Sequence, residues 1–181
     1  MAKKTEKSTK LVKGGIIFST INEENPFYKS NPQEMKLAQY LTSAGKNSIS
    51  MKNEGNSFPF TDYVVNEINE VDEGGEIIKT EKFIVAYDVV SHTCYYTMSR
   101  GLAKEFDEFI KNNIIPSADG CQWIVKATEQ QFKDDDGKTL RTYNLDIVGI
   151  EKILHDTEST SKVEALPEGE TESKVADVIV D

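Results

Sequence analysis

The sequence predicts a mainly β, α+β protein: a five-stranded antiparallel barrel with one helix between its third and fourth strands, preceded by an N-terminal extension. Three stretches lead there. The run Phe83-Ile84-Val85-Ala86-Tyr87-Asp88-Val89-Val90 has the β-branched and aromatic density of a strand. His92 to Met98 continues it after a break at Ser91. Cys121–Phe132 and Leu140–Ile150 flank Asp134-Asp135-Asp136-Gly137, whose Asp-Gly pair is a strong hairpin signal.

The elements follow in order. Met1 to Lys13 holds five lysines against Glu6 and reads as a basic disordered arm. Gly14-Gly15 opens a possible strand to Ile21, and Gln33–Ala44 carries a weak helical stripe stopped by Gly45. Lys46 to Ser57 reads as a loop. Phe58 to Val71 reads as the first barrel strand, closed by the turn Asp72-Glu73-Gly74-Gly75, and Glu76–Val90 as the second. That second strand is apolar on both faces, as expected where an extra segment packs outside. Ser99 is placed to cap a helix over Gly101–Asn113, with Leu102, Phe106, Phe109 and Ile110 on one face as a plug for the barrel end. In the hairpin, Cys121, Trp123, Val125 and Ala127 share one face and Tyr143, Leu145 and Ile147 another. Gln122, Lys126, Thr128, Thr142, Asn144 and Asp146 fall opposite. The order of three strands, a helix and two strands is that of an oligonucleotide/oligosaccharide-binding (OB) barrel.

The domain therefore spans 14–155, with its barrel core at about 58–150. From Asp156 the composition turns to Thr, Ser, Glu, Lys and Gly, an acidic disordered tail over 156–181. The net charge of −10 counts against nucleic acid unless the cations share a face. The stretch between Lys13 and Glu151 is itself acidic, with 13 basic and 21 acidic residues.

Several function classes find no support. There is no GxSxG, HExxH, Walker-type or GxGxxG motif. Asp134 to Gly137 lacks the alternating ligands and distal glutamate of a calcium loop. Cys94 and Cys121 have no metal spacing and read as buried thiols, and two histidines make a zinc site hard to build. The expectation is a non-enzymatic protein with no cofactor or metal. No apolar run has the length of a membrane span and no leader opens the chain, so a cytoplasmic protein without membrane contact is expected.

What remains is binding. Rings that stack on bases, interleaved with cations that follow phosphates, are what a single strand requires. The candidates are Tyr95, Tyr96 and Arg100 near the third strand, Trp123 and Lys126 on the fourth, and Phe132, Lys133, Lys138, Arg141 and Tyr143 around the hairpin. Each ring also has a core reading. Trp123 and Tyr143 share faces with apolar residues, while neighbours Tyr95 and Tyr96 must point to opposite sides.

In this order of elements, and in its acidic tail ending Asp177-Val178-Ile179-Val180-Asp181, the chain resembles the single-stranded-DNA-binding proteins of phage and bacterial replication. The resemblance covers about 58–150 plus the tail. It implies a barrel that binds the strand without sequence preference, and a tail that recruits replication, recombination or repair proteins. It also implies a host-cytoplasmic location if the chain is phage-encoded. The ending differs from the common bacterial one, which carries a proline and a terminal phenylalanine. The alternative is a virion or assembly protein, a possible homo-oligomer, in which the β domain packs against other subunits.

Overall fold

The computed structural model describes residues 9–44, 48–53 and 56–154. The acidic tail from Asp156, with Asp177 to Asp181, and the first eight residues of the basic arm lie outside the described residues. Over the described residues the protein is mainly β, with eight strands in two sheets and three α-helices. In order these are β1 (Lys10–Ser19), α1 (Pro26–Ser30), α2 (Pro32–Ala44), β2 (Ile49–Ser50), β3 (Ser57–Phe60), β4 (Asp62–Val71), β5 (Ile77–Asp88), β6 (Thr93–Thr97), α3 (Arg100–Lys111), β7 (Cys121–Lys133) and β8 (Thr139–Lys152). A 3₁₀ turn, Pro116–Asp119, leads into β7. No described helix is long and apolar enough to cross a membrane.

The closed five-stranded barrel expected from the sequence is not formed. The strands divide into a five-stranded sheet, β1-β4-β5-β6-β2, and a three-stranded sheet, β3-β7-β8. Among the described residues, β6 and β8 are not paired. The physical break is at Thr61. Its N–H donates to the Tyr87 carbonyl (2.8 Å), and its hydroxyl accepts from the Val89 N–H (3.0 Å). The expected first strand thus turns there, leaving β3 on β7 and β4 on β5. Pro59, which has no N–H, is tolerated because β3 is a sheet edge.

The main core lies between the sheets. α3 contributes Leu102, Ala103, Phe106 and Phe109, all buried. Phe106 meets Phe60 (5.9 Å between centroids), Tyr63 (5.2 Å) and Phe109 (5.4 Å). The helix starts at Arg100 rather than Gly101. Ser99 holds the capping position without a side-chain capping bond.

The N-terminal third packs on the other face of the five-stranded sheet, which explains why β5 is apolar on both sides. Ile21, Phe27, Tyr28 and Ala38 cover Val64, Val85 and Tyr87 there. β1 begins at Lys10, inside the stretch expected to be disordered, and its register slips between Lys13 and Ile16 around Gly14-Gly15. The expected loop before β3 contains the short β2, parallel to β6.

A buried carboxylate joins the extension to the core. Asp62 is fully buried and accepts from Thr20 Oγ1 (3.0 Å), Asn25 Nδ2 (3.2 Å), Ser117 Oγ (2.6 Å) and the Tyr28 hydroxyl (2.8 Å). These donors come from the end of β1, from α1 and its cap, and from the 3₁₀ turn. Burial raises the Asp62 carboxyl to about 6, although the hydrogen bonds pull it down.

The β7–β8 hairpin forms as expected. Gly137 adopts φ +75°, and the Lys138 N–H donates to Asp134 Oδ1 (2.7 Å). Its faces differ from simple alternation, because the register slips between Ile124 and Val125. Gln122, expected outward, is buried and donates to Asp88 Oδ1 (2.6 Å). Ile147, expected on the buried face, is half exposed. Cys94 is buried and its thiol is raised by burial, whereas Cys121 is only partly covered.

Candidate functional site

The site is assembled from the loop after β2 and from the middle of the β7–β8 hairpin. The Met51 N–H donates to the Tyr96 carbonyl (2.9 Å), and the Met51 side chain is buried in the main core. That anchor fixes the next residue, Lys52, at the mouth between the sheets. Its Nζ stands 4.9 Å from the centroid of the Tyr143 ring, a cation–π contact.

Tyr143 lies opposite Glu129 in the hairpin register, and its hydroxyl donates to Glu129 Oε2 (3.0 Å). Gln131 Nε2 donates to Glu129 Oε1 (2.9 Å), and Arg141 Nε is 3.6 Å from the same oxygen. The Gln131 and Tyr143 hydrogen bonds, with Arg141 beside them, hold the Glu129 carboxyl below the usual range. Lys126 adds a third cation, on the residue that pairs with Ser57 of β3. Lys52, Lys126, Arg141 and Tyr143 line one open groove of about 380 Å³ with Glu129. Arg141 is the cation beside the Glu129 carboxylate, while Lys126 pairs in register with Asp146.

A second cleft of about 260 Å³ lies on the other side of the same loop. Phe58 and Tyr95 line it and stack at 4.8 Å with 28° between their planes. Ser57 belongs to this cleft and pairs with Lys126 of the first, so the two are contiguous.

The residues expected from the sequence divide as follows. Lys126, Arg141 and Tyr143 come together, and Tyr95 borders the adjoining cleft. Tyr96 points to the other face of β6, where it meets Phe83 (6.0 Å). Arg100 is directed to Glu81 (3.5 Å) beside α3, in a separate hollow of about 240 Å³. Trp123 packs edge-on against Phe109 (5.7 Å) and Phe60 (6.3 Å), as a core residue. Phe132, half exposed, and the exposed Lys133 and Lys138 sit toward the hairpin tip, outside the groove lining.

Lys52 and Phe58 were not among the expected residues. Lys52 is in a polar loop with no periodic pattern around it. Phe58 lies in a strand whose partner is far away in sequence.

Another hollow, about 440 Å³ between β1 and α2, lies elsewhere. Its one cation, Lys13, donates to the Ser43 carbonyl (3.2 Å). Among the described residues no group of His, Cys, Asp and Glu is placed to hold a metal ion. No protein-family model, curated protein or solved structure matches the chain.

Proposed function

We propose that this protein binds single-stranded DNA without sequence preference, in support of replication, recombination or repair, and that the Lys52–Lys126–Arg141–Tyr143 groove holds the strand. The carrying observation is the ring of Tyr143 beneath the Lys52 ammonium, with Arg141 beside its partner Glu129 and Lys126 on the lining of the same open groove. An incoming base displaces Lys52 from the ring face and stacks in its place. Lys52 gives up a contact worth roughly 0.5–1 kcal/mol at an exposed site. Its ammonium is then free for the adjacent phosphate. Arg141 leaves Glu129, an exposed pair of small energetic weight, for the same purpose. Tyr95, backed by the buried Phe58, offers a second aromatic surface along the adjoining cleft, and Phe132 a third beyond it. Every base has a π-face, so little sequence preference is expected.

The connectivity supports this reading. Taken as one bent strand, β3–β4 pairs with β7 at one end and β5 at the other, and α3 lies between the third and fourth strands. An OB-like barrel left open between β6 and β8 would have this linkage, which supports the reading. Recruitment of replication or recombination proteins by the acidic tail belongs to the same proposal.

The test is fluorescence anisotropy with a labelled oligo-dT at two salt concentrations. Three phosphate contacts give a slope of about −2 in log K against log salt, or a loss of roughly 15-fold for a fourfold rise in salt. Absence of binding at low salt, or binding indifferent to salt, overturns the proposal.

A further inference from the structure

Among the described residues that line the proposed strand groove, Glu129 is the one carboxylate. An anion at that place opposes a polyanionic ligand and lowers its affinity. Two hydrogen bonds fix it there. Tyr143 donates its hydroxyl to Oε2 (3.0 Å), and Gln131 donates from Nε2 to Oε1 (2.9 Å). Arg141 is held less firmly. Its Nε stands 3.6 Å from Oε1, beyond direct hydrogen-bond distance, and its side chain is 66% exposed against 26% for Glu129. The anion is anchored, and the cation is free to leave it. The same hydrogen bonds keep the carboxyl below its usual range, so the charge persists at neutral pH.

We infer, resting on the proposed strand binding, that Glu129 is a competitor built into the groove. It occupies Arg141 in place of a phosphate, stays when Arg141 turns to the strand, and sets the affinity below what the cations and the ring supply. A guanidinium takes carboxylate and phosphate through the same donors, so the two anions compete for Arg141. Two costs then fall on the strand. Arg141 gives up an ion pair, and a phosphate on Arg141 comes to lie near the fixed carboxylate. Each cost is modest at an exposed site, and both are screened by salt. Glu129 therefore weakens binding most at low ionic strength, where attraction between cations and phosphates is strongest.

The experiment is fluorescence anisotropy of the full chain with labelled oligo-dT at several salt concentrations. Glu129→Gln removes the charge and keeps the shape. The new amide oxygen accepts from Tyr143, and Gln131 turns its own amide to accept from the new NH₂. Binding is expected to tighten about fivefold at low salt, with a gain that shrinks as salt is raised. Glu151→Gln is the control for net charge. Glu151 is exposed at the far end of the hairpin, opposite Gln122 and outside the groove lining, so its neutralisation changes affinity by less than about 1.5-fold. In an Arg141→Gln background the gain from Glu129→Gln is reduced, because no guanidinium is left to release. A thermal melt by circular dichroism checks that each variant folds.

Three results overturn the inference while the strand reading stands. They are a Glu129→Gln chain that binds no tighter than the parent, a gain matched by Glu151→Gln, and a gain undiminished without Arg141. Absence of binding by the parent and by Glu129→Gln alike is the separate failure of the strand reading, and it leaves Glu129 nothing to compete with.

Discussion

The Lys52 ammonium stands 4.9 Å from the centre of the Tyr143 ring, linking the loop after β2 to the last strand of the domain. Both residues belong to the groove proposed to hold a DNA strand, and each makes a separable contribution. Tyr143→Ala removes a stacking surface worth roughly 1–3 kcal/mol per base, so oligo-dT affinity falls about 5- to 150-fold. Lys52→Ala removes one phosphate contact, so the salt slope becomes shallower by about 0.7. Anisotropy titrations at several salt concentrations separate the two. Equal slopes for Lys52→Ala and the parent chain would remove Lys52 from the interface.

Gly101 packs against β8 without a side chain. A Cβ at this position would meet Thr142 Oγ1 and stand 2.5 Å from the Tyr143 carbonyl oxygen. Helix propensity alone favours Gly101→Ala by up to about 1 kcal/mol. The contact with strand backbone outweighs this, because backbone cannot move aside as a flexible side chain does. The variant is expected to lose about 1–3 kcal/mol in urea denaturation, the cost typical of overpacking. A stabilised variant would show that α3 shifts freely on β8.

Asp62 gives the protein a pH dependence of unusual sign for a carboxylate. Its folded value is about 6 against an ordinary 3.8, so the folded state holds the proton more tightly than the unfolded chain. Its contribution is fully present below about pH 4 and is lost as pH rises through 6. The shift of about two units corresponds to about 3 kcal/mol. The stability difference between the parent and Asp62→Asn should therefore narrow by up to that amount from pH 4 to 7, measured by denaturant unfolding at each pH. A difference that widens instead would mean that the four hydrogen bonds outweigh burial.

Phe106 is fully buried among Phe60, Tyr63 and Phe109. Phe106→Ala is expected to cost about 3–5 kcal/mol, through lost burial and the cavity left behind. Chemical denaturation measures it. A loss below 1 kcal/mol would mean that the sheets close over the gap.

Local pattern determined the elements. Period-two runs marked β5, β7 and β8, the Asp-Gly pair marked their hairpin, and the Leu102, Phe106 and Phe109 spacing marked the buried face of α3. These signals are local because the period of an element is a property of its own backbone. Tertiary structure decided everything that depends on what lies across from a residue. Tyr95 and Tyr96 were bound to diverge, but only the packing of Phe58 placed Tyr95 beside the groove, and only Phe60 and Phe109 claimed Trp123 for the core. Lys52 reaches Tyr143 because β2 pairs with β6, a contact between segments more than forty residues apart. The bend at Thr61 split the expected barrel in two, through hydrogen bonds to a distant strand. Pairing over such separations depends on the whole set of surfaces to be buried, which no short window of sequence contains.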